Sequence, residues 1–136
     1  MSVDAEKNHD SLVRMRDYCE RIAFHMHRFG GKKEFLEDWA YQDACVMILA
    51  QIGEEAKKIE PWLNSNSDYP WKDVIRFRDF AYHTYPATDY NIIWEIISED
   101  VPRLLNILAD ILYALDDDPS LGMPKPKRKS LFGGRR

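Results

Sequence analysis

This 136-residue sequence is short of the features that commit a chain to membranes, secretion or metal chemistry. Every hydrophobic stretch is broken by charge before it reaches the ~18 apolar residues a spanning helix needs, which excludes a helical membrane anchor. The opening Met-Ser-Val-Asp-Ala-Glu lacks the basic and apolar regions of a secretory leader, so the expected location is the cytoplasm. There are two cysteines, Cys19 and Cys45, and both fall at apolar positions of helical patterns, where a small buried hydrophobe fits better than a disulfide. Of the four histidines, His25 and His27 lie two apart on a helix and therefore face differently; with no third ligand at a suitable spacing, neither a metal nor a cofactor is expected. No strand-like alternation and no internal repeat occur, which leaves an all-helical chain.

What is there suits one folded core. The length has room for a single domain, and 45% hydrophobic content with four Trp, seven Tyr and six Phe is unlike a disordered chain. Charge is distributed unevenly. The total is -4, but residues 119–136 carry Lys125, Lys127, Arg128, Lys129, Arg135 and Arg136 and no acid, so removing that +6 leaves the body, residues 1–118, at -10. An acidic body does not hold nucleic acid by diffuse attraction, because phosphate contacts require clustered Lys and Arg. Any RNA site must be local, and the tail is expected to be flexible, its basic residues either guiding RNA or merely solubilising.

Leu12, Met15, Cys19, Ile22, Met26 and Phe29 recur every three or four residues, the stripe of an amphipathic helix that Gly30-Gly31 ends. A short helical turn is expected over Lys33 to Asp38, then a long helix from Trp39 to Glu60 closed by Pro61. Gly53 inside that helix weakens it, which implies close approach of a neighbouring backbone. Asn64 to Asp68 reads as a loop, and a helix follows from about Pro70 to His83, with Pro86 forcing Tyr85 out of it. The last helix, capped by Thr88 or Asp89, runs to about Leu115 with a bend at Pro102. The expected architecture is an antiparallel bundle of four or five helices. Trp39, Trp62, Trp71 and Trp94 are expected to anchor the core or an interface rather than stack on bases, given the acidic body.

The densest reactive group is Arg76-Phe77-Arg78-Asp79-Phe80-Ala81-Tyr82-His83-Thr84-Tyr85. On a helix Asp79 and His83, four apart, can touch, so the carboxylate can fix the imidazole tautomer. Cleaving RNA without metal requires a base for the 2′-hydroxyl, an acid for the leaving oxygen and positive charge on the phosphorane-like transition state. Histidine titrates near neutrality and an arginine fork grips phosphate through two donors, so Arg78 and His83 supply the types needed. One histidine per chain is too few for both proton transfers, and a two-fold dimer would bring two copies of the pair into one cleft. An Arg, Asp and His at a helix end are also common as a plain surface ion-pair group.

Arg78-x4-His83-x-Tyr85 matches the motif of the HepT-like branch of the HEPN superfamily, which the sequence resembles over residues 8–115. Glu37-Asp38-Trp39 to Ala44, Ile52-Gly53-Glu54-Glu55-Ala56-Lys57, and Asp89-Tyr90 through Trp94-Glu95 to Asp100-Val101-Pro102 agree with it in order and distance. The resemblance implies a metal-independent ribonuclease toxin, dimeric, with Arg78 and His83 catalytic and Asp79 in support, where many relatives carry Asn. It further implies an antitoxin partner, a small nucleotidyltransferase of the MntA type, that transfers AMP to Tyr85. An anionic nucleotide there would occupy the place of the RNA phosphate. Two rival readings stand beside the enzyme: a non-catalytic helical module that pairs with a nucleotidyltransferase, and a plain structural homodimer.

Overall fold

The structure is a computed structural model that describes residues 3–82 and 89–117; His83, Tyr85 and the basic tail lie outside the described residues. Among the described residues there is no strand, and the all-α expectation holds. Three long helices form the frame: α1 (Val3–Phe29), α3 (Trp39–Lys58) and, numbered last, α8 (Val101–Asp117). Shorter helices fill the connections: α2 (Lys32–Glu37), α4 (Glu60–Asn66), α5 (Trp71–Ile75), α6 (Asp79–Tyr82) and α7 (Tyr90–Glu95). A 3-10 turn, Arg76–Arg78, joins α5 to α6, and a π-turn, Ile96–Asp100, joins α7 to α8. No helix among the described residues is long and apolar enough to cross a membrane.

α1 runs antiparallel to both α3 and α8, as its end-to-end contacts with them demonstrate. Arg14, early in α1, bonds Glu55, late in α3; His9 meets Asp116 at the far end of α8 at 3.1 Å. At the other end of α1, Gly30 takes φ +112°, a left-handed conformation that only glycine adopts freely, and turns the chain over. Its carbonyl accepts the Tyr41 hydroxyl at 2.8 Å, tying the exit of α1 to the start of α3. Asp38 ends α2 and caps α3, its carboxylate accepting from the backbone N–H groups of Ala40 and Tyr41. The expected stripe of α1 is buried as Leu12, Met15, Cys19 and Ile22; it meets Cys45, Leu49, Ile52 and Ala56 of α3 and Leu104, Leu108 and Ile111 of α8. Both cysteines are free and buried, and burial pushes each thiol up to about 12, so both stay protonated and unreactive.

Two expectations need correction. Pro61 does not close the helical path. The chain breaks at Ile59 and restarts at once, with Pro61 in the first turn of α4, where a missing N–H costs nothing, so Asn64 to Asn66 are helical rather than loop. At Pro102, where a bend was expected, a π-turn precedes the proline, with the Val101 N–H reaching back to the Ile96 carbonyl; the preceding helix is capped by Asp89. The second concerns the segment expected as one helix from Pro70 to His83. Trp71, Val74, Ile75 and Phe77 are all buried, and Phe77 follows Val74 by three residues. The winding tightens to a 3-10 turn over Arg76–Arg78, which stacks Phe77 on Val74.

This turn lies directly against α3, and Gly53 allows it. A Cβ at position 53 would stand 2.7 Å from the Arg78 backbone nitrogen and 2.8 Å from the Ile75 carbonyl oxygen, both inside van der Waals contact with atoms that cannot swing aside. The close approach inferred from sequence is therefore real, and its partner is the Arg78 backbone.

Helix propensity alone would make Gly53→Ala stabilising by ~1 kcal/mol. The contact reverses the sign: the variant is expected to lose about 1–3 kcal/mol, read from its urea unfolding midpoint. A second prediction concerns Glu55, which is buried between α1 and α3. Burial pushes its carboxyl up, but hydrogen bonds from Lys58 (2.9 Å) and Arg14 (3.0 Å) outweigh that and hold it below the ordinary carboxylate value. A depressed carboxyl stabilises the fold above its unfolded pKa of about 4.3 and ceases to as pH falls through the folded value. Glu55→Gln should thus be less stable than wild type by roughly 1–2 kcal/mol at pH 7, with the gap narrowing in unfolding curves taken at pH 3.

Candidate functional site

The 3-10 turn sorts its three residues by geometry. Consecutive side chains on such a turn point about 120° apart. Phe77 enters the core, Arg76 turns toward Asp73 at 3.3 Å, and Arg78 turns toward α3. Arg78 Nη1 lies 3.5 Å from Glu54 Oε1, and Arg78 Nε lies 4.0 Å from Asp79 Oδ1. The guanidinium is about one-third exposed, with its two carboxylate neighbours more so, and the group opens to solvent at the junction of α3, the 3-10 turn and α6.

Of the residues read from sequence, Arg78 and Asp79 are therefore adjacent, half-exposed and paired. The expected Asp79–His83 contact and the position of Tyr85 lie outside the described residues. Sequence reasoning missed Glu54. Its signal was the run Ile52-Gly53-Glu54-Glu55, where a glycine that admits a neighbouring backbone is followed by an acid. Successive helical residues lie about 100° apart, so Glu55 turns inward to Arg14 and Lys58 while Glu54 turns to Arg78.

Elsewhere, His25 stacks on Phe29 with ring centroids 5.7 Å apart, beside Phe24. Trp71 is buried, Trp62 and Trp94 pack partly buried against the core, and Trp39 is 81% exposed on α3, so three of the four tryptophans are core anchors. A separate cleft of about 230 Å³, lined by Tyr69, Asp73, Phe77, Asp100 and Arg103 among others, adjoins the same turn. Burial, ahead of the neighbouring acids, pushes its Asp100 carboxyl up, while Arg103 opposes the shift.

Comparison with known proteins places this arrangement among relatives. A protein of Methanocaldococcus jannaschii described as a candidate RNase is 34% identical over 86 residues, covering 62% of this chain and 71% of the relative. Another so described, from Caldanaerobacter subterraneus subsp. tengcongensis, is 33% identical over 81 residues, covering 59% and 72%. A protein of Thermococcus cleftensis that carries the name ribonuclease HepT is 33% identical over 73 residues, covering 53% and 66%. No solved structure matches at a significant level. The family model described as ribonuclease HepT-like matches residues 15–111, a span that takes in the α1 core stripe from Met15 on, the Gly53 contact, the Glu54–Arg78 pair and most of α8. With that match over most of its length, the chain belongs to the HepT-like ribonuclease family.

Proposed function

We propose that this protein is a metal-independent endoribonuclease, the toxin of a toxin–antitoxin system, that cleaves cellular RNA with Arg78 and His83. The observation that carries the reading is the placement of Arg78. Its backbone is packed on Gly53 and its guanidinium stands at the surface, where it can meet a phosphate, inside the span that matches a ribonuclease family. Arginine supplies permanent charge and two parallel donors for the phosphorane-like transition state. His83, five residues on, supplies the proton transfers as base and acid, and Asp79 supports the pair.

A single His83 cannot serve both the attacking and the leaving oxygen at once, so the working form is a two-fold homodimer with a composite cleft. A surface that favours pairing runs along α3, whose solvent side carries the 81% exposed Trp39 and the 57% exposed Met47 and continues to Glu54 beside Arg78. Neutralisation follows from Tyr85. AMP transferred to its hydroxyl by an MntA-type nucleotidyltransferase antitoxin would put a bulky anion where the RNA phosphate has to sit. Charge divides the chain at residue 118 into an acidic part and the basic tail, residues 119–136.

The test is incubation of total cellular RNA with purified protein in EDTA, Tyr85 first being verified as unmodified by intact mass. Discrete fragments are expected from wild type, with rates lower by at least ~100-fold for His83→Ala and Arg78→Ala. Intact RNA with unmodified wild type, together with retained binding of a nucleotidyltransferase, would replace this reading with that of a non-catalytic pairing module.

A further inference from the structure

Glu54 has no part in the chemistry just described, yet it is the residue of α3 that reaches the reactive arginine. Two independent features of α3 converge on Arg78. Gly53 fixes the arginine's main chain, since nothing larger fits under its backbone nitrogen, and Glu54 approaches its side chain at Nη1. Asp79 stands on another side of the same guanidinium, 4.0 Å from Nε. A planar group with one carboxylate near Nη1 on another element and a second near Nε on its own chain neighbour has its last side-chain torsions biased toward one orientation.

We propose that Glu54 is a positioning residue for Arg78: its carboxylate holds the guanidinium, above the backbone seat at Gly53, in the orientation that meets the scissile phosphate. A flexible arginine has to lose rotamer freedom at each substrate encounter, and one already paired on α3 has lost it in advance. The pair also carries a cost. A carboxylate beside the guanidinium repels an incoming phosphate, so Glu54 weakens ground-state RNA binding while it improves alignment in the transition state. An exposed ion pair that served only the fold would be worth little and would leave catalysis alone. Because the interaction comes from a long helix whose next residue, Glu55, is buried and tied to Arg14, it places the arginine better than a loop residue could.

This inference rests on the ribonuclease reading above, and two readouts on the full-length protein separate their failures. The first is kinetic. Glu54→Gln keeps the size and removes the charge; it is expected to lower kcat on a model RNA on the order of 10-fold, with KM unchanged or lower and with the thermal midpoint unchanged. In the Arg78→Ala background the same substitution is expected to add nothing, because there is no guanidinium left to position. The second readout needs no activity. In 15N-labelled protein, the Arg78 Nε–Hε resonance is expected to be resolved and slowly exchanging in wild type, and to collapse toward the exposed arginines in Glu54→Gln. Wild type that leaves RNA intact would overturn the ribonuclease reading while the resonance still decides whether Glu54 holds Arg78. Unchanged kcat in Glu54→Gln, or a resonance indifferent to the substitution, would overturn the role of Glu54.

Discussion

The contact between the backbone of α3 at Gly53 and the backbone of the 3-10 turn at Arg78 sets the position of everything around it. Helices usually pack through side chains, with axes about 8–10 Å apart. Here a missing Cβ lets main chain lie on main chain, so the turn sits deeper than side-chain packing would allow. Phe77 is then drawn into the core beside Val74, and Arg78 faces α3 and the solvent. Sterics, local winding and burial thus agree on one placement, which is how a short segment holds a defined geometry.

The consecutive acids Glu54 and Glu55 divide two tasks between adjacent positions. Glu55 is buried, bonded to Arg14 and Lys58, and ties α1 to α3 at the end of the bundle where the turn docks. Glu54, one residue earlier and a quarter-turn round the helix, is exposed and answers Arg78. A helix that was loose at this end would pass its motion to the arginine, so the buried ion group serves the candidate site without touching it.

Much of the frame was legible in the sequence because its signals are local. The spacing of Leu12 to Ile22, the glycine pair at 30 and 31, and Asp89 before an apolar run each announce a structure their own chemistry produces. The glycine in α3 announced a close approach but not its partner, because the partner lies 25 residues away and is fixed by tertiary packing. The 3-10 turn was missed for the same reason. Over Trp71 to Arg78 both a period of 3 and one of 3.6 place apolar residues inward, and which wins depends on the surface awaiting them. Pro61 was misread because proline stops a helix it follows and opens one it begins, and the sequence carries both possibilities. Within the site, Arg78 and Asp79 are legible from residue type and spacing, while Glu54 has no spacing relation to them, and its only sequence signal is the glycine before it, whose partner the fold supplies.

The Gly53 contact also bears on how such a site can diverge. Because the arginine's main chain is held by backbone atoms, the acids around its side chain are not needed to keep the turn in place. Changes at positions 54 and 79 alter charge and orientation at the guanidinium, and so its preference among anionic ligands, while the scaffold beneath stays the same. Position 53 has no such latitude: every substitution adds a Cβ. The fold therefore separates a locked coordinate from tunable ones, and variation within a lineage should accumulate beside the arginine rather than beneath it.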